Sequence, residues 1–186
     1  GLFRKQGANI VSEPNNEIMP GVVSLGGFGP IPLPAYHEMT GVEILRGIIS
    51  GDLPAPPISK TLSFALTEAD EGRVVFKGLP KAEYLNPGGT VHGGWTATIM
   101  DSALACVVHS VLKKGEALTT TEFKVNLLRP VLPDMGEVTC EASIVTRGRT
   151  NGVSEARLTD NRGRLLAFGT ETCSIFPARA TPENAS

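Results

Sequence analysis

Charge is scarce and nearly balanced: Lys, Arg, Asp and Glu make up 19% of the 186 residues and leave a net charge of −2. A basic field of the kind that tracks a phosphate backbone cannot be assembled from that composition, which argues against nucleic acid as a partner. Cysteine is equally sparse. Cys106, Cys140 and Cys173 form an odd set without CxxC spacing, each within an apolar run, so neither a disulfide framework nor a zinc knuckle is expected and the cytoplasm is the favoured compartment. Arg4 and Lys5 are followed by NIVSEPNNE where a secretory signal needs apolar residues, so no signal peptide is expected. The run from Trp95 to Leu112 approaches the length of a membrane span but carries Asp101 and His109, which favours a buried helix of a soluble protein and no membrane partner. The chain also lacks a G-x-S-x-G motif and a phosphate-binding loop with lysine, which disfavours a serine hydrolase or a nucleotide-triphosphate enzyme. GGFGP is no dinucleotide fingerprint, because the third glycine and the flanking strand and helix are missing.

What is present fits one domain with an extension. Residues 1–57 read as an N-terminal extension, 58–176 as the main domain and 177–186 as a frayed polar tail. Within the extension, glycine and proline in GVVSLGGFGPIPLP predict an irregular arm over residues 1–38. TGVEILRGIISGDL then has a threonine cap, Glu43 at the third position and apolar residues at helical spacing, predicting a short amphipathic helix near 41–50. TLSFALTEA alternates as a half-buried strand, with Leu62, Phe64 and Leu66 on one side, and GRVVFKGL pairs with it through EADEG. After a long apolar helix come four strand candidates, TTTEFKVNLLRPV, GEVTCEASIVTRG, GVSEARLTD and RLLAFGTETCSIF. The PDMG, RTN and NRG turns between them predict antiparallel neighbours. The expected class is α+β: a curved antiparallel sheet wrapped around a long central helix.

The chemistry centres on NPGGTVHGGWTATIMDSALACVVH, a glycine-rich loop running into that helix with a single carboxylate, Asp101, inside it. An isolated buried carboxylate costs several kcal/mol, so Asp101 needs a partner or a purpose. Its helical neighbours Ala97, Thr98, Leu104 and Ala105 are mostly small and leave room for a ligand; a hydrogen-bonded structural role is equally compatible with the spacing. Gly88, Gly89, Gly93 and Gly94 around His92 allow close approach of backbone to ligand, and the unpaired N–H groups of the first helical turn would stabilise a developing oxyanion. If Gly93 opens the helix, Asp101 lies roughly 12 Å further along its axis. The two groups can meet one carbonyl only if they come from different subunits, with helices antiparallel across a two-fold axis.

At these residues the chain resembles the hotdog-fold acyl-CoA thioesterases of the phenylacetate-pathway, PaaI-like type. The resemblance covers about residues 58–176 and rests on N-x-x-G-x-x-H-G-G followed by an aspartate, here Asn86, Gly89, His92, Gly93, Gly94 and Asp101, and then on TTTEFKVNLLRP. It implies hydrolysis of an acyl-CoA to a carboxylic acid and free coenzyme A, without metal or organic cofactor. It further implies a homodimer or homotetramer with its sites at the dimer interface. The Gly93 N–H would polarise the thioester carbonyl, and Asp101 of the neighbouring subunit would act as nucleophile or general base. Asn86 and His92 would orient loop and substrate, and Thr120 would hold the attacking water or the carboxylate. Gly89, Gly94, Trp95 and Ala105 would line the substrate, with Arg147 and Arg149 meeting the coenzyme A phosphates; a solvated turn is the plainer account of the two arginines, and core packing that of Trp95. Cys106 and His109 lack further residues at metal-ligand spacing. Two alternatives remain open: an enoyl-CoA or hydroxyacyl hydratase on the same fold, and an acyl-CoA binding protein without turnover.

Overall fold

A computed structural model describes residues 16–179. The elements, in chain order, are β1 (Glu17–Met19), β2 (Val22–Val23), α1 (Leu33–Glu38), α2 (Gly41–Ser50), α3 (Pro57–Leu62), β3 (Phe64–Asp70), β4 (Arg73–Gly78), α4 (Gly93–Ser110), β5 (Glu116–Leu127), β6 (Val138–Arg147), β7 (Asn151–Thr159) and β8 (Leu165–Pro177), with a short 3₁₀ turn at Ala82–Tyr84. Six strands form one antiparallel sheet in the order β3-β4-β6-β7-β8-β5, and it curls around α4. The helix is apolar nearly all round because nearly all of it is enclosed: Ile99, Met100, Ala103, Leu104, Val107 and Val108 are fully buried. This is the expected hotdog arrangement. No helix among the described residues is long and apolar enough to cross a membrane.

Three expectations need correction. β5 does not pair with β6; it pairs with β8, and the edge of β4 takes β6 instead. The PDMG segment belongs to a longer connection, residues 128–137, in which Val131 is buried and its carbonyl accepts the Val91 N–H at 2.9 Å. A segment tethered there crosses the N-terminal end of α4 and cannot fold back as a tight hairpin. The other two connections join true neighbours, β6 to β7 and β7 to β8.

The first main strand starts at Phe64, three residues later than its alternation suggests, because Pro57–Leu62 form a short helix that Ser63 ends in the left-handed region at φ 52°. Phe64 and Ala65 are then both buried, which breaks the alternation. The reason lies in the arm: Ile18, Met19 and Ala55 cover Ala65 from outside, so β3 is packed on both faces.

The arm is accordingly more ordered than its composition suggests. Met19-Pro20-Gly21-Val22 closes the β1–β2 hairpin, with Gly21 at φ 79°, where an L side chain would be strained. α2 has the predicted capping box, Thr40 N–H donating to Glu43 Oε2 at 2.7 Å. It docks closely on α4: Gly41 donates to the Leu112 carbonyl at 3.0 Å, and a Cβ on Gly41 would lie 1.7 Å from the His109 carbonyl oxygen. Between the arm, α2, α3 and the sheet is an apolar chamber of about 250 Å³, with Ile18, Val22, Ile48, Ala65, Phe76 and Cys106 in its wall. The predicted irregular stretch over residues 1–15, and the tail from 180 onward, lie outside the described residues.

Candidate active site

The loop before α4 is built by Asn86. Its Oδ1 accepts the Gly88 and Thr90 N–H groups at 2.8 and 3.3 Å, its Nδ2 donates to Thr90 Oγ1 at 2.9 Å, and Gly89 supplies φ 82° at the bend. Asn86 thus spends its polar atoms on holding the loop. His92 is the N-cap of α4, with Nδ1 accepting the Gly94 N–H at 2.8 Å, which places the ring N–H on Nε2. The Trp95 N–H returns to the His92 carbonyl at 2.9 Å. With those two donors committed, Gly93 is left as the first helical residue, whose N–H has no acceptor within the helix. It borders a cavity of about 280 Å³ that Asn86, Thr90, Thr96, Leu127 and Arg129 also line. The positive end of the helix dipole points into this space.

Asp101 sits two turns further along, partly buried, on the side of α4 that faces the inner surface of β5 and β8. A bulge between Thr120 and Glu122 lets Thr120 point inward. Its Oγ1 lies 3.4 Å from Asp101 Oδ1 and 2.8 Å from Glu171 Oε1. The structure therefore brings Asp101 and Thr120 together, apart from the group around Asn86, His92 and Gly93 at the head of the helix.

Glu171 is the residue the sequence reading missed. It stands in the inward row of β8 among Ala167, Cys173 and Ile175, and it is fully buried. Cys173 Sγ contacts Oε1 at 3.1 Å, while Oε2 has no hydrogen-bond partner among the described residues. Burial and then the nearby Asp101 charge push its carboxyl up to about 7, against the lowering effect of the Cys173 and Thr120 hydrogen bonds. The signal was available in TETCSIF: a glutamate at an inward position of a strand whose other inward residues are apolar. The same surroundings hold the Cys106 thiol up at about 12, chiefly through desolvation, so it stays protonated at neutral pH and is no nucleophile there.

Two proposed contacts do not fit their roles. Trp95 is buried, stacks on Tyr84 and donates to the Leu62 carbonyl at 2.8 Å, so it is a core residue. Arg147 is bound to Glu116 at 2.6 Å with both side chains largely enclosed, which takes it away from any phosphate. Arg149 is exposed in its turn, Gly94 is exposed beside His92, and Ala105 is partly exposed one turn beyond Asp101. His109 is held at about 4 by burial against Tyr36, and no cluster able to hold a metal occurs among the described residues.

Comparison with known proteins agrees with this architecture. Residues 88–167 match the family described as the thioesterase superfamily. Human acyl-coenzyme A thioesterase 13 is 27% identical over 137 residues, covering 70% of this chain and 93% of that enzyme. A protein of Halobacterium salinarum that carries an esterase name is 36% identical over 100 residues, covering 50% of this chain and 64% of its own length. The crystal structure of a phenylacetic acid degradation-related thioesterase-family protein from Ralstonia eutropha superposes with TM-score 0.64 at 26% identity, covering 70% of this chain and 98% of that one. Over residues 88–167, with its helix-in-sheet core and its HGG loop, the chain is similar to the thioesterase superfamily.

Proposed function

We propose that the protein hydrolyses acyl-CoA thioesters, giving a carboxylic acid and free coenzyme A, in a site shared by two copies of the chain. The observation that carries this reading is the separation of the two half-sites. The donor at Gly93, at the N-terminus of α4, and the carboxylate at Asp101, midway along it, each lie beside a different part of β5.

β5 supports the pairing. It is a 12-residue edge strand bonded, among the described residues, only to β8, and Phe123 and Leu127 on its helix-facing side are 42% and 57% exposed. A long exposed edge of this kind is a template for another strand. Antiparallel pairing of two β5 edges about an axis at Lys124, with the bulge after Thr120 taking up one residue, sets Thr120 opposite Leu127 of the partner subunit. Thr120 touches Asp101, and Leu127 touches Gly93, where a Cβ would meet Leu127 Cδ1 at 2.8 Å. Such a dimer therefore carries the carboxylate of one chain toward the helix N-terminus of the other.

In this arrangement the thioester carbonyl oxygen accepts the Gly93 N–H and builds up charge at the dipole's positive end. Either Asp101 takes a proton from a water that attacks the carbonyl carbon, or it attacks the carbon itself and water then hydrolyses the resulting anhydride; in both routes the C–S bond breaks and the thiolate is protonated to free coenzyme A. His92 Nε2–H, held outward by the cap, is placed to orient the thioester. The human relative is by name an acyl-coenzyme A thioesterase, which supports the substrate class. The test is release of free thiol from short-chain, long-chain and aryl acyl-CoAs. Turnover with any of them supports the reading, whereas binding without turnover would make the protein a carrier.

The dimer has its own test. Phe123→Arg places a cation opposite Val125 of the partner subunit, on the apolar side of the joined strands, and should give a monomer in sedimentation velocity, with thioesterase activity lost in parallel. A monomer that still turns over would contradict the shared site.

A further inference from the structure

We propose that Glu171 is a positioning residue of this site: as a neutral acid it donates to Thr120, which frees the Thr120 hydroxyl hydrogen for Asp101. The argument is a count of protons. Thr120 has one O–H and contacts two carboxyl oxygens, at 2.8 Å on Glu171 and 3.4 Å on Asp101. If Glu171 is ionised, the shorter contact claims that hydrogen and Asp101 receives none. If Glu171 holds a proton on Oε1, the chain runs Glu171 O–H to Thr120 Oγ1, then Thr120 O–H to Asp101 Oδ1, and both contacts are satisfied in one direction.

The surroundings favour the neutral form. Glu171 is fully buried and Oε2 has no partner among the described residues, which costs far less for a carbonyl oxygen than for a carboxylate oxygen. The groups that face it are Asp101 and Cys106 from α4, Thr120 from β5, and Cys173 from its own strand. From β7, Ser154 is paired with it in register, but that hydroxyl is committed to the Leu104 carbonyl at 2.9 Å. Among the described residues no salt bridge reaches Glu171. Its carboxyl near 7 places the change of state close to neutral pH. Above that pH a second negative charge appears beside Asp101 and the carboxylate loses its donor. The proton is held throughout turnover, so the hydrolysis balance is unchanged.

The inference rests on Asp101 acting in the reaction proposed above, and the test separates the two. kcat/KM is measured from pH 5.5 to 9 for the wild type and Glu171→Gln, whose amide N–H mimics the neutral acid at every pH. The wild type should lose about tenfold per pH unit above the Glu171 transition, and the variant should stay flat across it. The same alkaline limb in the variant, or a folded variant without activity, overturns the proposal. Thermal unfolding gives a readout without activity. A carboxyl raised from its ordinary 4.5 to about 7 adds stability at low pH that is lost as pH rises between those values, so the Tm of the wild type should fall relative to Glu171→Gln over that window and run parallel above it. A constant Tm difference from pH 4.5 to 7 would mean that Glu171 is ionised throughout and would sink the idea even if no acyl-CoA is hydrolysed. Should Glu171→Gln fail to fold, Thr120→Val must abolish the same alkaline limb, and its persistence counts against the relay.

Discussion

Asp101→Asn should lower kcat/KM for acyl-CoA hydrolysis by about 10²- to 10⁴-fold, the range for losing an acid–base group, while the protein stays folded. The amide has nearly the shape of the carboxylate and can still accept from Thr120, so packing on α4 is kept. The negative charge is what disappears, and with it both roles open to this residue, proton acceptor and nucleophile. Stability should hold or rise, because a charge is removed from beside the buried Glu171. Parallel thiol-release kinetics and thermal unfolding check both halves of this expectation. A variant within tenfold of the wild type would mean that Asp101 is a structural residue and that the base lies elsewhere.

Gly93→Pro should lower kcat by about 10²- to 10³-fold, comparable to losing one oxyanion donor, with a smaller change in KM. Proline is chosen because it deletes the N–H and little else. Position 93 is the first residue of α4, where proline's fixed φ suits the helix and its missing donor costs no intrahelical bond. His92, which precedes it, already has φ −58° and ψ 135°, the conformation that a following proline requires. The new side chain meets the end of Leu127, a flexible group able to move. A variant with retained helix content and unchanged kcat would show that the carbonyl is polarised by another donor.

Much of this fold was legible because periodicity and caps act locally. The apolar run from Trp95 onward marks α4, Thr40 and Glu43 mark the start of α2, and the β6–β7–β8 hairpins follow from their short turns. The pairing of β5 with β8 was not legible, since strand order depends on contacts that no turn specifies. The arm shows the same limit: its Pro20-Gly21 turn is a local signal, but the cover it gives Ala65 is a tertiary fact. At the site, the HGG loop and Asp101 stood out by residue type and spacing. Glu171 was overlooked although alternation sets it with Cys173 and Ile175 against Thr170, Thr172 and Ser174, because its polar neighbours in sequence mask the apolar row it shares. Arg147 was misjudged for a related reason: Arg147 and Arg149 look equivalent in a turn, and only Glu116 across the sheet removes Arg147 from solvent.

The central claim, that each active site takes its donor from one chain and its carboxylate from another, is tested most directly by subunit complementation. Asp101→Asn and Gly93→Pro proteins, each nearly inactive alone, are unfolded, mixed in equal amounts and refolded together. A mixed dimer then pairs the intact Gly93 of the first with the intact Asp101 of the second, and thiol release should recover to about a quarter of the wild-type rate, since half of the dimers are mixed and each has one good site. No recovery, with mixed dimers demonstrated by mass, would show that each chain carries its own complete site.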